Sequence, residues 1–218
     1  MVARNYDITN IVEALRVKGE VRAGDFGNAA WARARAAHLT RYWSGEEAPE
    51  GRRAEARILW DAGGLTVRFD CRQAEPLVVS DAPQRERKTI GLWERDVCEM
   101  FLTPEQGPIR YYAEFEVAPT GEWLDLSIIV GPKELQKNWE YPSGMTAAAL
   151  VGKDSLTLAM RVPWKAFDHA PRAGERWRCN LFRCVGRDPT RGYLAWQPTY
   201  TPEPAFHVPE KFGWVVFK

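Results

Sequence analysis

The chain has 218 residues, 45% hydrophobic and 27% charged, which is ordinary globular composition. Thirty Lys and Arg against 29 Asp and Glu leave a formal net charge of +1, so no overall field recruits nucleic acid or an anionic membrane. No apolar run reaches the roughly 20 residues of a membrane span, and the length suits one β-sandwich domain over residues 1–218.

In chain order, the first 20 residues lack an apolar core followed by a small-residue cleavage site. The expected location is therefore cytoplasmic, or periplasmic or secreted if the start is processed. Residues 5–17 read as helical or extended, and the Ala- and Arg-rich stretch 28–37 reads as a short helix or turn. Period-two alternation then takes over. Residues 56–60 and 64–71 form a hairpin around Asp61, Ala62, Gly63 and Gly64. Residues 72–92, polar and broken by Pro76 and Pro83, read as a long loop leading to Trp93. Val97 to Leu102 is the next strand. In 109–117, Ile109, Tyr111, Ala113, Phe115 and Val117 take one face. Arg110, Tyr112, Glu114 and Glu116 take the other, read as solvated. Pro119, Thr120 and Gly121 turn the chain into 121–130, where Leu124, Leu126, Ile128 and Val130 align. Residues 131–145 read as a second loop. Residues 155–163 form a strand ending at Pro163, followed by one helical turn. Residues 176–185 and 213–218 are the last two strands, with a proline-rich loop (186–209) between them. Many short strands, long loops and little helix predict an all-β fold, a two-sheet antiparallel β-sandwich.

The four cysteines form no C-x-x-C pair and only three histidines are present, so a zinc site is not expected and the thiols read as small buried hydrophobes. No nucleophile elbow, H-E-x-x-H or phosphate loop occurs. Glu114 and Glu116 are the paired carboxylates a glycosidase would need. A glycan-processing enzyme using them or Asp96 is one alternative, but binding without catalysis, with no catalytic residue, is favoured. Arg95 and Asp96 read as an ion pair closing the loop, with Asp96 and Glu99 bracing it.

The outlier is tryptophan, with ten residues. Each offers a broad apolar face and one donor. Trp93 and Trp196 sit at loop–strand junctions. Arg95, Asn180 and Arg183 carry planar donors suited to sugar hydroxyls.

From about Ala56 onward the sequence resembles carbohydrate-binding module family 9 and its wider family-9-like group. The segments carrying the likeness are ARILWDAGGLTVRFDC, LWERDVCEMFLTP, YYAEFEVAPTGEWLDL, AMRVPWKAF, RWRCNLFRC and YLAWQPTYTPEPAFHVPEKFGWVVF. Residues 1–55 match less clearly. The resemblance implies a β-sandwich whose partner is a carbohydrate, stacked between two tryptophans and ringed by polar side chains. It implies Trp93 and Trp196 as the rings and Arg95, Asn180 and Arg183 as polar contacts. It also implies a link to carbohydrate catabolism and glycosyl hydrolases, and structural calcium at ligands the sequence does not place. Haem-binding DOMON-type sandwiches are distant look-alikes. There Met100, Met160 and His207 would be the candidate axial ligands, although both methionines sit in apolar strands.

Overall fold

A computed structural model describes residues 10–105 and 107–218. Fourteen strands are defined. They are β1 (Ile11–Arg16), β2 (Ala37–Leu39), β3 (Arg41–Tyr42), β4 (Ala54–Trp60), β5 (Gly64–Arg72), β6 (Val97–Pro104) and β7 (Tyr111–Val117). They continue as β8 (Trp123–Val130), β9 (Leu135–Asn138), β10 (Thr146–Val151), β11 (Ser155–Pro163), β12 (Arg176–Val185), β13 (Gly192–Ala195) and β14 (Gly213–Phe217). No described residue is in an α-helix, and the helical segments are short 3-10 turns.

The hydrogen-bonded order is β10-β11-β5-β4-β1-β14-β12-β6-β7-β8-β9. It folds into two layers joined through β1, which pairs parallel with β4 on one side and β14 on the other. The remaining strand pairs are antiparallel. Side chains alternate between the faces of each strand. One face of β5 and β11, with Val67, Phe69, Leu158 and Met160, therefore meets Met100, Leu102, Phe115 and Leu181 of the second layer in one core. The expected all-β sandwich is the observed fold. At one end of this core Trp60, Trp164, Phe167, Trp177 and Phe217 pack edge to face, with centroids 4.8–6.4 Å apart.

Residues 11–16 are a strand, the extended alternative read for 5–17, and residues 5–9 lie outside the described residues. Other elements differ from the sequence reading. The loop at 131–145 contains β9, and the loop at 186–209 contains β13. Strand β10, sequence TAAALV, carries almost no alternation and was not expected. The largest difference concerns the second layer's outer face. Leu124, Leu126 and Ile128 belong to a second buried cluster with Phe101, Tyr112, Phe182, Phe206 and Phe212. Glu114 and Glu116 lie on that face opposite Leu126 and Leu124. They are 4% and 0% exposed, not solvated, because the residues after β13 fold back over them.

The β4–β5 turn is closed by Asp61. Its Oδ1 accepts from the Gly63 amide at 2.7 Å, and its two oxygens accept from Arg161 at 2.7 and 2.9 Å. Burial alone would raise this carboxyl, but Arg161 and the turn amides outweigh it and hold the group below its usual range. A lowered folded value means the stabilisation is complete above the unfolded value near pH 4 and is lost as pH falls through the folded one. Asp61→Asn should cost about 1.5–3 kcal/mol at neutral pH. Its deficit against wild type should shrink in urea melts below about pH 4. A deficit independent of pH would remove the charge from this account.

Candidate functional site

Gly91, with φ +84°, begins a 3-10 turn, Leu92–Glu94. A side-chain-bearing residue is strained in that conformation. Leu92 is wholly buried in the outer cluster and anchors the turn, leaving Trp93 half-buried beside it. The Arg191 guanidinium binds the turn's last carbonyls, at 2.7 Å to Trp93, 2.8 Å to Glu94 and 2.7 Å to Arg95. A cation on orphan carbonyls is a favourable helix end.

The second ring beside Trp93 is Trp139. Their centroids lie 6.1 Å apart with planes 24° from parallel. Trp139 follows β9, where period two puts Leu135, Lys137 and Trp139 on one side. Lys88, from the long loop, donates to the Trp139 carbonyl at 2.8 Å and pairs with Asp125 at 2.6 Å, so the ring's backbone is held from below. The Lys137 ammonium lies 4.9 Å from the Trp93 ring centroid and 5.4 Å from that of Trp139, within cation–π range of both.

On the outer face of the same layer lie three acids whose carboxyl oxygens fall within 4.8 Å of one another: Glu99, Glu114 and Glu116. The β6–β7 register puts Glu99 directly opposite Glu116, and Glu114 is two residues along on the same face. Burial pushes Glu99 and Glu116 well above the usual carboxylate range; repulsion by Glu114 adds to it at both, and repulsion by Glu99 adds to it at Glu116. Burial also raises Glu114. The Cys184 thiol donates to Glu99 at 3.6 Å. Burial lowers His207 to about 4, and its Nδ1 lies 2.8 Å from the Tyr112 hydroxyl.

The residues expected to bind sugar fall in different places. Trp196 is 8% exposed and packs in the inter-layer core, whereas Trp93 packs on the outer cluster. The Trp196 indole lies over Gly213, where a Cβ would meet its ring at 2.7 Å. It also borders a groove of about 750 Å³ with His38, Arg41, Gln197 and Tyr200. Asn180 is wholly buried and clasps the Gln197 backbone, donating to its carbonyl at 2.9 Å and accepting from its amide at 3.0 Å. Arg183 is 1% exposed. It donates to the carbonyls of Arg52 and Arg72 at 2.7 Å each and to the Gln73 side chain at 2.5 Å. Arg95 pairs with the buried Glu122 at 3.3 Å rather than with Asp96. Asp96 instead accepts from the Gly186 amide at 2.8 Å. Trp139 and Lys137 escaped sequence reasoning because their strand is short, polar and set in a loop. The triad was foreshadowed: Leu124 and Leu126 alternate in phase with the face that carries Glu114 and Glu116.

All four cysteines are free and buried, with Cys71 and Cys98 sulfurs 3.6 Å apart. Met100 of the second layer and Met160 of the first pack in the inter-layer core, while His207 stacks on Phe101 of the outer cluster, so the second layer separates both methionines from the histidine considered for haem.

The sequence profile described as carbohydrate-binding family 9 matches residues 57–217. The chain belongs to that family. Among solved structures, this family 9 chain is similar to one from Bacteroides uniformis, with a TM-score of 0.73 and 18% identity, covering 96% of this chain and 99% of that one. A family 9 module from Caldicellulosiruptor kristjanssonii in complex with glucose gives a TM-score of 0.67 at 12% identity, covering 95% of each chain. The same organism's module with cellotriose gives 0.63 at 11%, covering 95% and 93%. At these identities the likeness is one of fold. No curated protein matches the chain. No described helix is long and apolar enough to cross a membrane.

Proposed function

We propose that this family 9 chain binds a carbohydrate non-catalytically on the outer face of its second layer, with Trp93 and Trp139 as the stacking surface. The observation carrying this reading is the near-parallel, half-buried indole pair, braced by Arg191 and Lys88, with a flexible cation over both rings. A sugar is uncharged and strongly hydrated, so hydrogen bonds alone give little net affinity. Covering ring faces adds a hydrophobic and dispersion contribution that hydration does not cancel. Lys137 has the long stem that lets its ammonium swing from the rings to a hydroxyl. Trp139 replaces Trp196 as the second ring in this proposal, because Trp196 packs in the other core. Arg95 stays at the margin, tied to Glu122.

Glucose and cellotriose, the sugars bound by the Caldicellulosiruptor modules, are the first ligands to try. A glycosidase needs carboxyls on both sides of the bond it cleaves, whereas Glu99, Glu114 and Glu116 stand together on one buried face, which favours binding.

The test is calorimetric titration of wild type, Trp93→Ala and Trp139→Ala with both sugars. Each variant should lose about 5- to 150-fold in affinity, by analogy with bases stacked on aromatic rings. The two half-exposed rings should cost little in melting temperature. Unchanged affinity in both variants would contradict the site.

A further inference from the structure

We propose that Lys137 sets the class of sugar this site takes, selecting a ligand that carries one carboxylate, a hexuronate, over the neutral hexose. The inference rests on the Trp93–Trp139 reading above and names its ligand. Lys137 stands on β9, the edge strand of the second layer. Its ammonium lies 4.9 Å from the Trp93 ring centroid and 5.4 Å from that of Trp139, so a cation covers the empty stacking surface. Among the described residues that cation forms no ion pair. The nearby acids are engaged elsewhere: Asp125 pairs with Lys88 at 2.6 Å and Glu122 with Arg95 at 3.3 Å. Glu94 and Glu140 adjoin the rings in the chain but are exposed to solvent. Glu99, Glu114 and Glu116 feel the Lys137 charge, yet each is at most 4% exposed, and burial holds each above its usual range. That disfavours the anions that would cancel it. Burial lowers His207, and the same Lys137 charge adds to it.

A neutral sugar that stacks on the indoles displaces this ammonium and offers it only hydroxyls in return. A carboxylate in place of the sugar's hydroxymethyl group offers a charge-assisted hydrogen bond, roughly twice as strong as a neutral one. The lysine stem is flexible, so the ammonium follows the carboxylate while the pyranose face takes its place on the rings. The charge of the ligand follows from the cations present. Arg191 is fixed on the carbonyls of Trp93, Glu94 and Arg95, which leaves one mobile positive charge facing the ligand. That matches a monoanion, and the ammonium's rotatable donors impose no forked geometry on it.

The experiment titrates the full chain calorimetrically with glucose and with glucuronate at neutral pH, where the uronate is ionised. Glucuronate should bind at least about fivefold tighter in dilute buffer, the upper end for a solvated ion pair. The gap should close as salt rises from about 0.01 M to about 1 M, which shortens the screening length from about 30 Å to about 3 Å. In Lys137→Met the ratio of the two affinities should fall to about one, and Lys137→Arg should restore part of the preference. Lys153→Met removes an equal charge from the exposed β10–β11 turn and should leave the ratio as in wild type. Equal binding of the two sugars by wild type, or a preference that survives Lys137→Met, would overturn this inference alone, provided Trp93→Ala and Trp139→Ala still weaken glucose. Binding that both indole variants leave untouched, or no binding of either sugar, would overturn the stacking site and this inference with it.

Discussion

Arg183→Met is expected to be the most damaging single change in the chain. The guanidinium is 1% exposed and points from β12 across the inter-layer space to the chain flanking β4 and β5. It satisfies the carbonyls of Arg52 and Arg72 and the Gln73 side chain. Methionine fills much of the volume and makes none of these bonds. Stranding a buried acceptor costs about 1–3 kcal/mol, and the carbonyls of Arg52 and Arg72 and the Gln73 oxygen all lose their donor here. At this chain length that is a melting-temperature drop on the order of 10 °C. Arg183→Lys should recover only part of it, because one ammonium cannot span the forked arrangement. A drop of under about 2 °C for Arg183→Met, less than 1 kcal/mol, would mean the network is not what fastens the layers.

Trp177→Ala is expected to follow closely. Trp177 is wholly buried and packs against Phe167, Trp164 and Phe217 with centroids at 4.8, 5.8 and 5.3 Å. Its indole N–H donates to Glu175 at 2.7 Å. Truncating a buried aromatic costs about 3–5 kcal/mol, and here it also takes one donor from that carboxylate, which keeps His169 and the Arg172 amide. Trp177→Phe keeps most of the packing and should lose about 1–3 kcal/mol, the cost of the bond and a smaller void. Equal losses for the two variants in denaturant melts would mean the hydrogen bond, not the packing, dominates.

The sequence made some of this legible and hid the rest for physical reasons. The β4–β5 hairpin was readable because Leu65, Val67, Phe69 and Cys71 alternate around a turn that Asp61 closes. Strand β10 was not, since an alanine-rich edge strand carries little β-propensity and no alternation. The parallel pairing of β1 with β4 and β14 joins segments far apart in the chain, which local pattern does not encode. The acids on β7 were misread because a polar face normally meets water; here Phe206 and Phe212 return to cover that face. At the candidate site, Trp93 stood out as a ring ahead of an apolar strand. Trp139 is set among polar residues in what read as a loop, and no pattern marks it. Trp196 looked equivalent by position along the chain, yet Gly213 lets its ring sink into the core.

These positions make location the sharpest question. Crystals of the chain grown with cellotriose would answer it directly. The account predicts sugar density against the indoles of Trp93 and Trp139, with the Lys137 ammonium moved from above the rings to a hydroxyl. Density instead in the groove beside Trp196, among His38, Arg41 and Tyr200, with the Trp93–Trp139 pair unchanged, would contradict it.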